Sequence, residues 1–291
     1  MEHIPVLLQP ALEYLAIRPD GVYVDATFGG GGHSRAILNR LRTGRLIALD
    51  ADPAAEARAA QLAGDRFMFR RLNFRRLDEA LQDVGPIDGV LYDLGVSSMQ
   101  FNDPVRGFSF AQPAPLDMRM DPAGGRSAYD ILMTSSESEL ADIFVTYGQE
   151  RAARRIARTI VRRRADGTLP ATTTEFARMV SGLVHRPGRR ERIHPATRVF
   201  QALRIAVNDE LGALRESLEI AAGRLRIAGR VVVISFHSLE DRIAKRSFRE
   251  DPRLHELTRK PVIPDTSEVD RNPQARSAKL RAAERQRDDR D

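Results

Sequence analysis

The chain has 291 residues, of which 42% are hydrophobic, enough for one large domain or a domain with a sizeable insertion. It lacks the run of about 18 apolar residues that a membrane-spanning helix needs, and it contains no cysteine, which excludes disulfides, thiolate nucleophiles and Cys-ligated metal centres. The opening sequence MEHIPVLLQPALEYL shows no secretory signal. We therefore expect a reducing, cytoplasmic location and no membrane partner.

Arginine dominates the positive charge. The net charge is +6, and only three of the 46 basic residues are lysines. Because the planar guanidinium matches phosphate and stacks on bases, this composition suits a nucleic-acid partner. A genome that encodes arginine wherever a cation is tolerated would give the same composition, so the charge alone does not decide.

Strands and helices alternate in the first hundred residues. Strands are predicted at residues 22–26 and 45–49, from residue 67, and at residues 87–92. Helices are predicted between them, at residues 54–62 and 77–84. This alternation predicts an α/β fold with a parallel, doubly wound sheet, which binds ligands at the carboxyl ends of its strands.

The pattern changes after the fourth predicted strand. Residues 102–125 are rich in Pro, Gly and Met and indicate a long ordered loop, a kind of segment that is usually functional. Helices are then predicted behind capping boxes at residues 136–139 and 172–175, and a long amphipathic helix spans residues 195–218. A buried strand at residues 230–236 returns to the sheet, so a helical insertion is predicted between the fourth and fifth strands.

The predicted domains follow from these segments. A discontinuous sheet domain comprises residues 1–105 and 208–285, and residues 106–207 comprise the loop and the helical insertion. Residues 275–283 are a candidate edge strand, and residues 286–291 are expected to be a disordered tail.

A glycine-rich segment, DATFGGGGH, occupies residues 25–33 after the first predicted strand. Glycines at such a turn let the backbone approach a ligand, and the following helix offers free N–H groups to a carboxylate or phosphate. Asp50 ends the second strand, where its carboxylate can accept both hydroxyls of a ribose. The pair suits NAD and S-adenosylmethionine equally, so an NAD-dependent oxidoreductase stays open here, as does a purely structural turn.

Asp93 follows the fourth predicted strand and begins the segment DLGVSSMQ. A carboxylate at this edge can accept the N–H bonds of an exocyclic amine and direct the nitrogen lone pair toward a methyl group. Such an in-line displacement depends mainly on positioning and electrostatics. This favours a methyl donor as the cofactor; the alternative is that Asp93 only caps the next helix.

Several long motifs occur in order: HIPVLL, DATFGGGGHS, DLGVSSMQ, GFSF with PLDMRMD, HPATRVFQALRIAVNDEL, ISFHSLEDR and NPQARSAKLRAAER. With them the sequence closely resembles the bacterial 16S ribosomal RNA cytosine-N4 methyltransferase family, from about residue 3 to residue 285. The resemblance implies a Rossmann-like class I S-adenosylmethionine-dependent methyltransferase fold with an all-helical insertion that recognises RNA. It also implies N4 methylation of a cytidine, position 1402 of 16S rRNA, at the decoding centre of the small ribosomal subunit, and it permits a homodimer.

The resemblance further implies a cofactor site. The methionine part of S-adenosylmethionine would lie on Gly31, Gly32 and His33. The ribose would meet Asp50, and Phe74 would pack on the adenine. The remaining expected cofactor contacts are Asp25, Gly29, Asp93 and Gln100.

Asp93 is the first candidate for handling the target amine. Ser97, Ser98 and His237 are secondary candidates, and His237 is equally well explained as a structural histidine. The six histidines are scattered singly and show no metal-binding spacing such as H-E-x-x-H, so we expect no metal in catalysis.

Exposed arginines are the expected RNA contacts. A basic stripe with helical spacing begins at Arg151, and a second cluster lies in a Pro/Gly-rich loop. The candidates are Arg119, Arg151, Arg155, Arg158, Arg162, Arg189, Arg190 and Arg198. Phosphate contacts of this kind give affinity and salt sensitivity more than sequence choice. Solvated helix faces are the alternative, and a basic nucleic-acid-binding factor without enzymatic activity is the alternative for the whole chain.

Overall fold

The computed structural model describes residues 5–184 and 194–287. The chain divides into two compact units. The first comprises Met1–Gly95 and Leu211–Asp291, and the second comprises Val96–Glu210. The second unit thus begins earlier and ends later than the predicted insertion of residues 106–207.

Seven strands are found in the described part of the chain: β1 (Val22–Asp25), β2 (Arg45–Leu49), β3 (Phe67–Arg70), β4 (Ile87–Asp93), β5 (Leu225–Ser235), β6 (Leu254–Glu256) and β7 (Lys279–Arg285). They form one sheet in the order β3-β2-β1-β4-β5-β7-β6. The first five strands are parallel, and β7 runs antiparallel between β5 and β6. This order, with an antiparallel β7 beside β5, is the class I methyltransferase arrangement, which confirms the predicted doubly wound α/β fold.

The helices, in chain order, are α1 (Leu8–Leu15), α2 (Gly32–Leu38), α3 (Ala54–Ala59), α4 (Leu77–Ala80), α5 (Ser98–Asn102), α6 (Ala128–Thr134), α7 (Glu137–Thr146), α8 (Ala153–Ala165), α9 (Thr173–Val184), α10 (Thr197–Asn208), α11 (Glu210–Arg224), α12 (Ser238–Glu250) and α13 (Thr266–Arg271). Short 3-10 turns occupy Ala60–Leu62, Phe74–Arg76 and Pro273–Ser277. None of the described helices is both long and apolar enough to cross a membrane.

The centre of the sheet is buried, as expected for parallel strands covered on both faces. In β4 every residue except Asp93 is buried. Leu91 of β4 packs in one cluster with Tyr23 of β1, Val232 of β5 and Leu280 of β7. At the end of β4, the buried Tyr92 hydroxyl lies 2.7 Å from Ser217 Oγ of α11. These contacts fix the strand ends whose side chains form the candidate site.

The second unit, Val96–Glu210, has its own apolar core, in which Phe144 of α7, Ile156 of α8, Phe176 of α9 and Leu203 of α10 pack together. Helix α7 begins as the sequence predicts, because Ser136 and Glu139 form a reciprocal capping box at its start. The loop before α6 is held through Asn208, whose side chain donates to the Met118 carbonyl at 2.8 Å and accepts from the Met120 N–H at 2.8 Å.

Three sequence-based predictions about the elements were wrong. The single helix predicted at residues 195–218 is two helices, because Asp209 adopts φ 45° between α10 and α11. Asp tolerates this left-handed conformation better than most residues, and the apolar spacing continues across the break. The helix predicted at residues 77–84 is only the short α4.

The third correction concerns the candidate edge strand at residues 275–283. It begins instead at Lys279 as β7 and lies between two neighbours, so the edge is the three-residue β6. A strand of that length gives no recognisable pattern in the sequence. Of the expected tail, residues 288–291 lie outside the described residues, whereas Gln286 donates its backbone N–H to the Arg253 carbonyl at 3.0 Å.

Candidate cofactor and catalytic site

Three aspartates stand at the carboxyl ends of three neighbouring strands in the first unit. Asp25 ends β1, Asp50 follows β2 and Asp93 ends β4. Since β1 lies between β2 and β4 in the sheet, the structure brings these carboxylates to one edge. Along the chain, β2 and β3 are added to the sheet on one side of β1, and β4 and β5 on the other. Doubly wound sheets bind their ligands at the point where this direction reverses.

Asp25 holds the turn that follows β1. It is completely buried; its Oδ2 accepts from Ser34 Oγ at 2.6 Å, and its Oδ1 accepts from the Thr27 N–H at 3.2 Å. Burial raises the pKa of this carboxyl, although both hydrogen bonds oppose the shift. In the structure Asp25 therefore braces the glycine loop from behind, and its part in cofactor contact stays a prediction.

The glycine loop needs glycine for steric reasons. Gly31 has φ 76°, and a Cβ there would lie 2.8 Å from the Phe28 ring. At Gly32 a Cβ would lie 2.4 Å from Pro5 Cγ, because the segment before α1 packs directly on the loop. Side chains at either position would force the loop or its covering segment to move.

Asp50 is tied to the glycine loop by hydrogen bonds. Its Oδ2 accepts from the Gly29 N–H at 2.8 Å, and its Oδ1 accepts from the Asp52 N–H at 2.9 Å. Burial raises the pKa of Asp50 to about 6. Each carboxylate oxygen has two lone pairs, so both retain capacity for a hydroxyl donor of a ribose.

Phe74 lies in the 3-10 turn Phe74–Arg76, which Asn73 caps by accepting from the Arg75 N–H at 2.9 Å. The ring is partly buried and meets Tyr92 edge-to-face, with centroids 5.8 Å apart. Because Tyr92 is fixed in the core, this contact fixes the Phe74 ring, as a stacking surface requires.

Asp93 faces the imidazole of His33. The two side chains approach at 3.3 Å between Asp93 Oδ2 and His33 Nδ1. The other oxygen, Oδ1, is buried and has no hydrogen-bond partner among the described residues. A buried acceptor in this state is costly unless a bound group donates to it, so Asp93 Oδ1 marks a place for a donor.

His33 does not present its ring to a ligand. The residue is only 5% exposed, and its ring contacts the Val6 carbonyl and Asp93. Its contribution to a cofactor would therefore come from its backbone.

His237 is the N-cap residue of α12. Its Nδ1 accepts from the Glu240 N–H at 3.4 Å, and Glu240 Oε2 accepts from the His237 N–H at 3.2 Å, which together form a capping box. The structure thus supplies the structural explanation that the sequence left open for His237.

Ser97, Ser98 and Gln100 belong to the second unit, at the start of α5. Ser97 is the N-cap residue, and its Oγ accepts from the Gln100 N–H at 3.2 Å. Gln100 is buried, and its side-chain oxygen accepts from the Ser97 N–H at 3.1 Å. This capping box gives both residues a structural task, and their roles at the cofactor and the target amine stay predictions.

The basic stripe lies on α8, with one correction. Arg151 precedes the helix and lies in a turn, whereas Arg154, Arg155, Arg158 and Arg162 are exposed along α8. At about 100° per residue these four side chains share an arc of roughly 100°. The helix therefore presents a continuous basic strip.

The other arginine candidates differ in surroundings. Arg119 forms a two-pronged ion pair with Asp117, at 3.0 and 2.7 Å, so its charge is locally balanced. Arg198 is exposed on α10. Arg189 and Arg190, with the rest of the second cluster, lie outside the described residues.

Sequence reasoning missed several residues that build the site. Ser34, Thr27 and Asp52 hold Asp25, Asp93 and Asp50 in place; the Asp93 N–H donates to Thr27 Oγ1 at 2.6 Å. Each of these three residues lies in the motif or turn that follows a strand with one of the aspartates at its end. That position is the sequence feature by which they could have been found. Val6 gave no signal except its place in the HIPVLL motif, because its contact with His33 joins distant parts of the chain.

These residues fit S-adenosylmethionine. The loop leaves no room for side chains at Gly31 and Gly32, and both oxygens of Asp50 have lone pairs for a ribose. A glycine turn with only a structural role would not need hydrogen-bond acceptors with free capacity beside it.

Comparisons with known proteins give the family of the chain. The model of the family described as MraW methylase family matches residues 1–286. A "Ribosomal RNA small subunit methyltransferase H" of Thermomicrobium roseum is 52% identical, over 97% of this chain and 93% of its own. A protein of the same name from Cyanothece sp. is 50% identical, over 97% of this chain and 94% of its own. Another from Carboxydothermus hydrogenoformans is 47% identical, over 97% of each chain.

Among solved structures, an rRNA methylase from Streptococcus thermophilus aligns over 98% of this chain and 100% of its own, with 13% identity and a TM-score of 0.46. The family match and the curated relatives are the comparisons that assign the chain. It belongs to the MraW methylase family and is an S-adenosylmethionine-dependent methyltransferase.

Proposed function

We propose that this chain transfers the methyl group of S-adenosylmethionine to N4 of one cytidine of 16S rRNA, position 1402 at the decoding centre, within the small ribosomal subunit. The relatives' shared name, which specifies ribosomal RNA of the small subunit, supports the substrate class. The observation that carries the chemistry is Asp93, whose buried Oδ1 has no hydrogen-bond partner among the described residues.

The cofactor supplies an electrophilic methyl group on a sulfonium. N4 of the cytidine would gain the methyl group, and S-adenosylhomocysteine would leave with the electrons of the former carbon–sulfur bond. The proton that N4 loses would pass along its hydrogen bond to the Asp93 carboxylate and from there to solvent. In the free base the N4 lone pair is delocalised into the ring. By accepting a hydrogen bond from N4–H, Asp93 Oδ1 would direct the lone pair toward the methyl carbon. Its negative charge would stabilise the positive charge that develops on N4.

RNA binding is assigned to the second unit. The exposed arginines of α8 form a strip of a kind that contacts phosphates, and Arg158 is held by Glu137 at 3.5 Å. Arg154, Arg155 and Arg162 carry no ion pair within the described part of the chain. Such contacts would add affinity and salt dependence, while the choice of cytidine would depend on presenting an unstacked base.

The test is transfer of labelled methyl from S-adenosylmethionine to three acceptors: small subunits lacking this modification, naked 16S rRNA and duplex DNA. We expect label in the RNA of the subunits, at N4 of a single cytidine. Asp93→Asn should abolish transfer while the fold is kept, and Asp65→Asn, an exposed turn residue, is the matched control that should not.

The other outcomes decide against the proposal in different ways. Label in DNA alone would show that the substrate is DNA and not ribosomal RNA. Tight cofactor binding with no label in any acceptor would favour a basic nucleic-acid-binding factor without turnover. Undiminished transfer by Asp93→Asn would remove Asp93 from the chemistry.

A further inference from the structure

The ring of His33 lies between two hydrogen-bond acceptors. Its Nε2 lies 3.1 Å from the Val6 carbonyl oxygen, and its Nδ1 lies 3.3 Å from Asp93 Oδ2. Neither a carbonyl nor a carboxylate can donate. A neutral imidazole has one N–H and can satisfy only one of them, whereas an imidazolium satisfies both.

The charges around His33 favour the imidazolium. Asp93 at the end of β4 and Asp25 at the end of β1 are the charged groups that act on it, and the segment before α1 contributes the uncharged Val6 carbonyl. Burial by itself lowers the pKa of His33, but Asp93, Asp25 and the Val6 carbonyl outweigh it and place that pKa above its ordinary value. A histidine with a raised pKa keeps its charge, and the stability of its ion pair, until the pH rises through that value.

We propose that His33 is a positioning residue that carries a positive charge, donates to Val6 and to Asp93 at once, and thereby fixes the Asp93 carboxylate for the target amine. This inference rests on the proposed function. With Oδ2 held by His33 and the backbone N–H of Asp93 donating to Thr27 Oγ1 at 2.6 Å, Oδ1 is the atom of the carboxylate left for a donor.

The Val6 end of this arrangement is itself fixed. The next residue, Leu7, donates its N–H to Glu268 Oε1 of α13 at 2.6 Å. On the other side, Pro5 packs against Gly32, where a Cβ would come within 2.4 Å of it. The Val6 carbonyl, which accepts from His33 Nε2–H, is thus held from both sides. If Asp93 moved, the His33 ring could not move with it without breaking this hydrogen bond.

The charge of His33 can be measured in the free protein without RNA. In protein labelled with ¹³C and ¹⁵N, the His33 ring signals are assigned through their bonds to the His33 backbone. The midpoint at which the His33 ring loses its positive charge should lie above the ordinary histidine value of about 6.5. In Asp93→Asn the titration midpoint should fall. A midpoint at or below the ordinary histidine value, or a midpoint unchanged in Asp93→Asn, would overturn the inference even if His33→Gln fails to fold.

The positioning role is tested by steady-state methyl transfer to small subunits. His33→Gln keeps a donor but cannot be charged, so we expect kcat to fall roughly tenfold to a hundredfold, with a smaller change in KM for S-adenosylmethionine. The wild-type rate should decline as the pH rises through the His33 midpoint, and the variant should lack that decline. His255→Gln, at an exposed position of β6, is the matched control and should behave like wild type.

The two proposals fail separately. If wild-type protein methylates no RNA, the proposed function fails, and the NMR titration still decides whether His33 is charged by Asp93. If wild-type protein methylates RNA but His33→Gln keeps both kcat and the alkaline decline, the positioning role fails and the proposed function stands.

Discussion

The bracing of Asp25 by Ser34 gives a prediction whose size follows from the structure. Both residues are completely buried, and the hydroxyl donates to the carboxylate at 2.6 Å. Hydrogen bonds to charged groups contribute about 1.5–3 kcal/mol. Ser34 lies in α2, where alanine is the better helix former by about 0.5 kcal/mol. We therefore expect Ser34→Ala to lower the free energy of unfolding by about 1–2.5 kcal/mol.

Ser217→Ala is a matched control for this prediction. Ser217 is also completely buried and also lies in a helix, α11, but its partner is the neutral Tyr92 hydroxyl at 2.7 Å. A neutral hydrogen bond contributes about 0.5–1.5 kcal/mol, and the same helix preference offsets part of it. Ser34→Ala should therefore cost about 1 kcal/mol more than Ser217→Ala.

The assay is urea unfolding followed by far-ultraviolet circular dichroism, at two pH values. Because the pKa of Asp25 is raised in the folded state, its ionisation lowers stability as the pH rises from the unfolded value through the folded one. Losing the Ser34 hydrogen bond raises that pKa further, so the cost of Ser34→Ala should be larger at pH 8 than at pH 4. Equal costs for the two serine variants, or a cost independent of pH, would refute the assignment of the effect to the Asp25 charge.

Four further predictions follow from single features. Since the pKa of Asp50 is about 6 and a ribose diol binds its carboxylate form, calorimetry should show cofactor affinity weakening below about pH 6, and Asp50→Asn should bind weakly at every pH. Gly32→Ala places a Cβ 2.4 Å from a proline ring, so it should weaken cofactor binding about tenfold or more while leaving the circular dichroism spectrum unchanged. Gly182→Ala, in α9 with none of the described residues within 4 Å of the new methyl group, should stabilise the protein by up to about 1 kcal/mol in urea unfolding. Arg155→Gln should lower the salt dependence of RNA binding by about one unit of log–log slope, and an unchanged slope would remove Arg155 from the phosphate contacts.

Much of the sheet domain could be predicted because its signals are local. The buried strands show continuous apolar runs, and each of the three site aspartates stands directly at a strand end, which tertiary contacts do not alter. The glycine loop was equally readable, since the need for positive φ at Gly31 is a property of the turn itself.

The remaining features depend on contacts between distant residues. The break at Asp209 lies within a continuous apolar pattern, so periodicity gave no sign of it. Nothing in the sequence indicates that His237 caps a helix, and its capping hydrogen bonds with Glu240 appear only in the structure. Its role at the target amine stays a prediction. The contacts of Val6 with His33 and of Leu7 with Glu268 likewise leave no spacing that a single sequence would reveal.

The contact between Leu7 and Glu268 has a consequence for synthesis of the protein. The two residues are 261 positions apart, so at about 5–20 residues per second the ribosome makes Glu268 about 13 to 50 seconds after Leu7. During that time the segment covering the glycine loop lacks its anchor, and β7 has not yet joined β5. We therefore expect the segment that covers the glycine loop to take up its final packing only after α13 has left the ribosome.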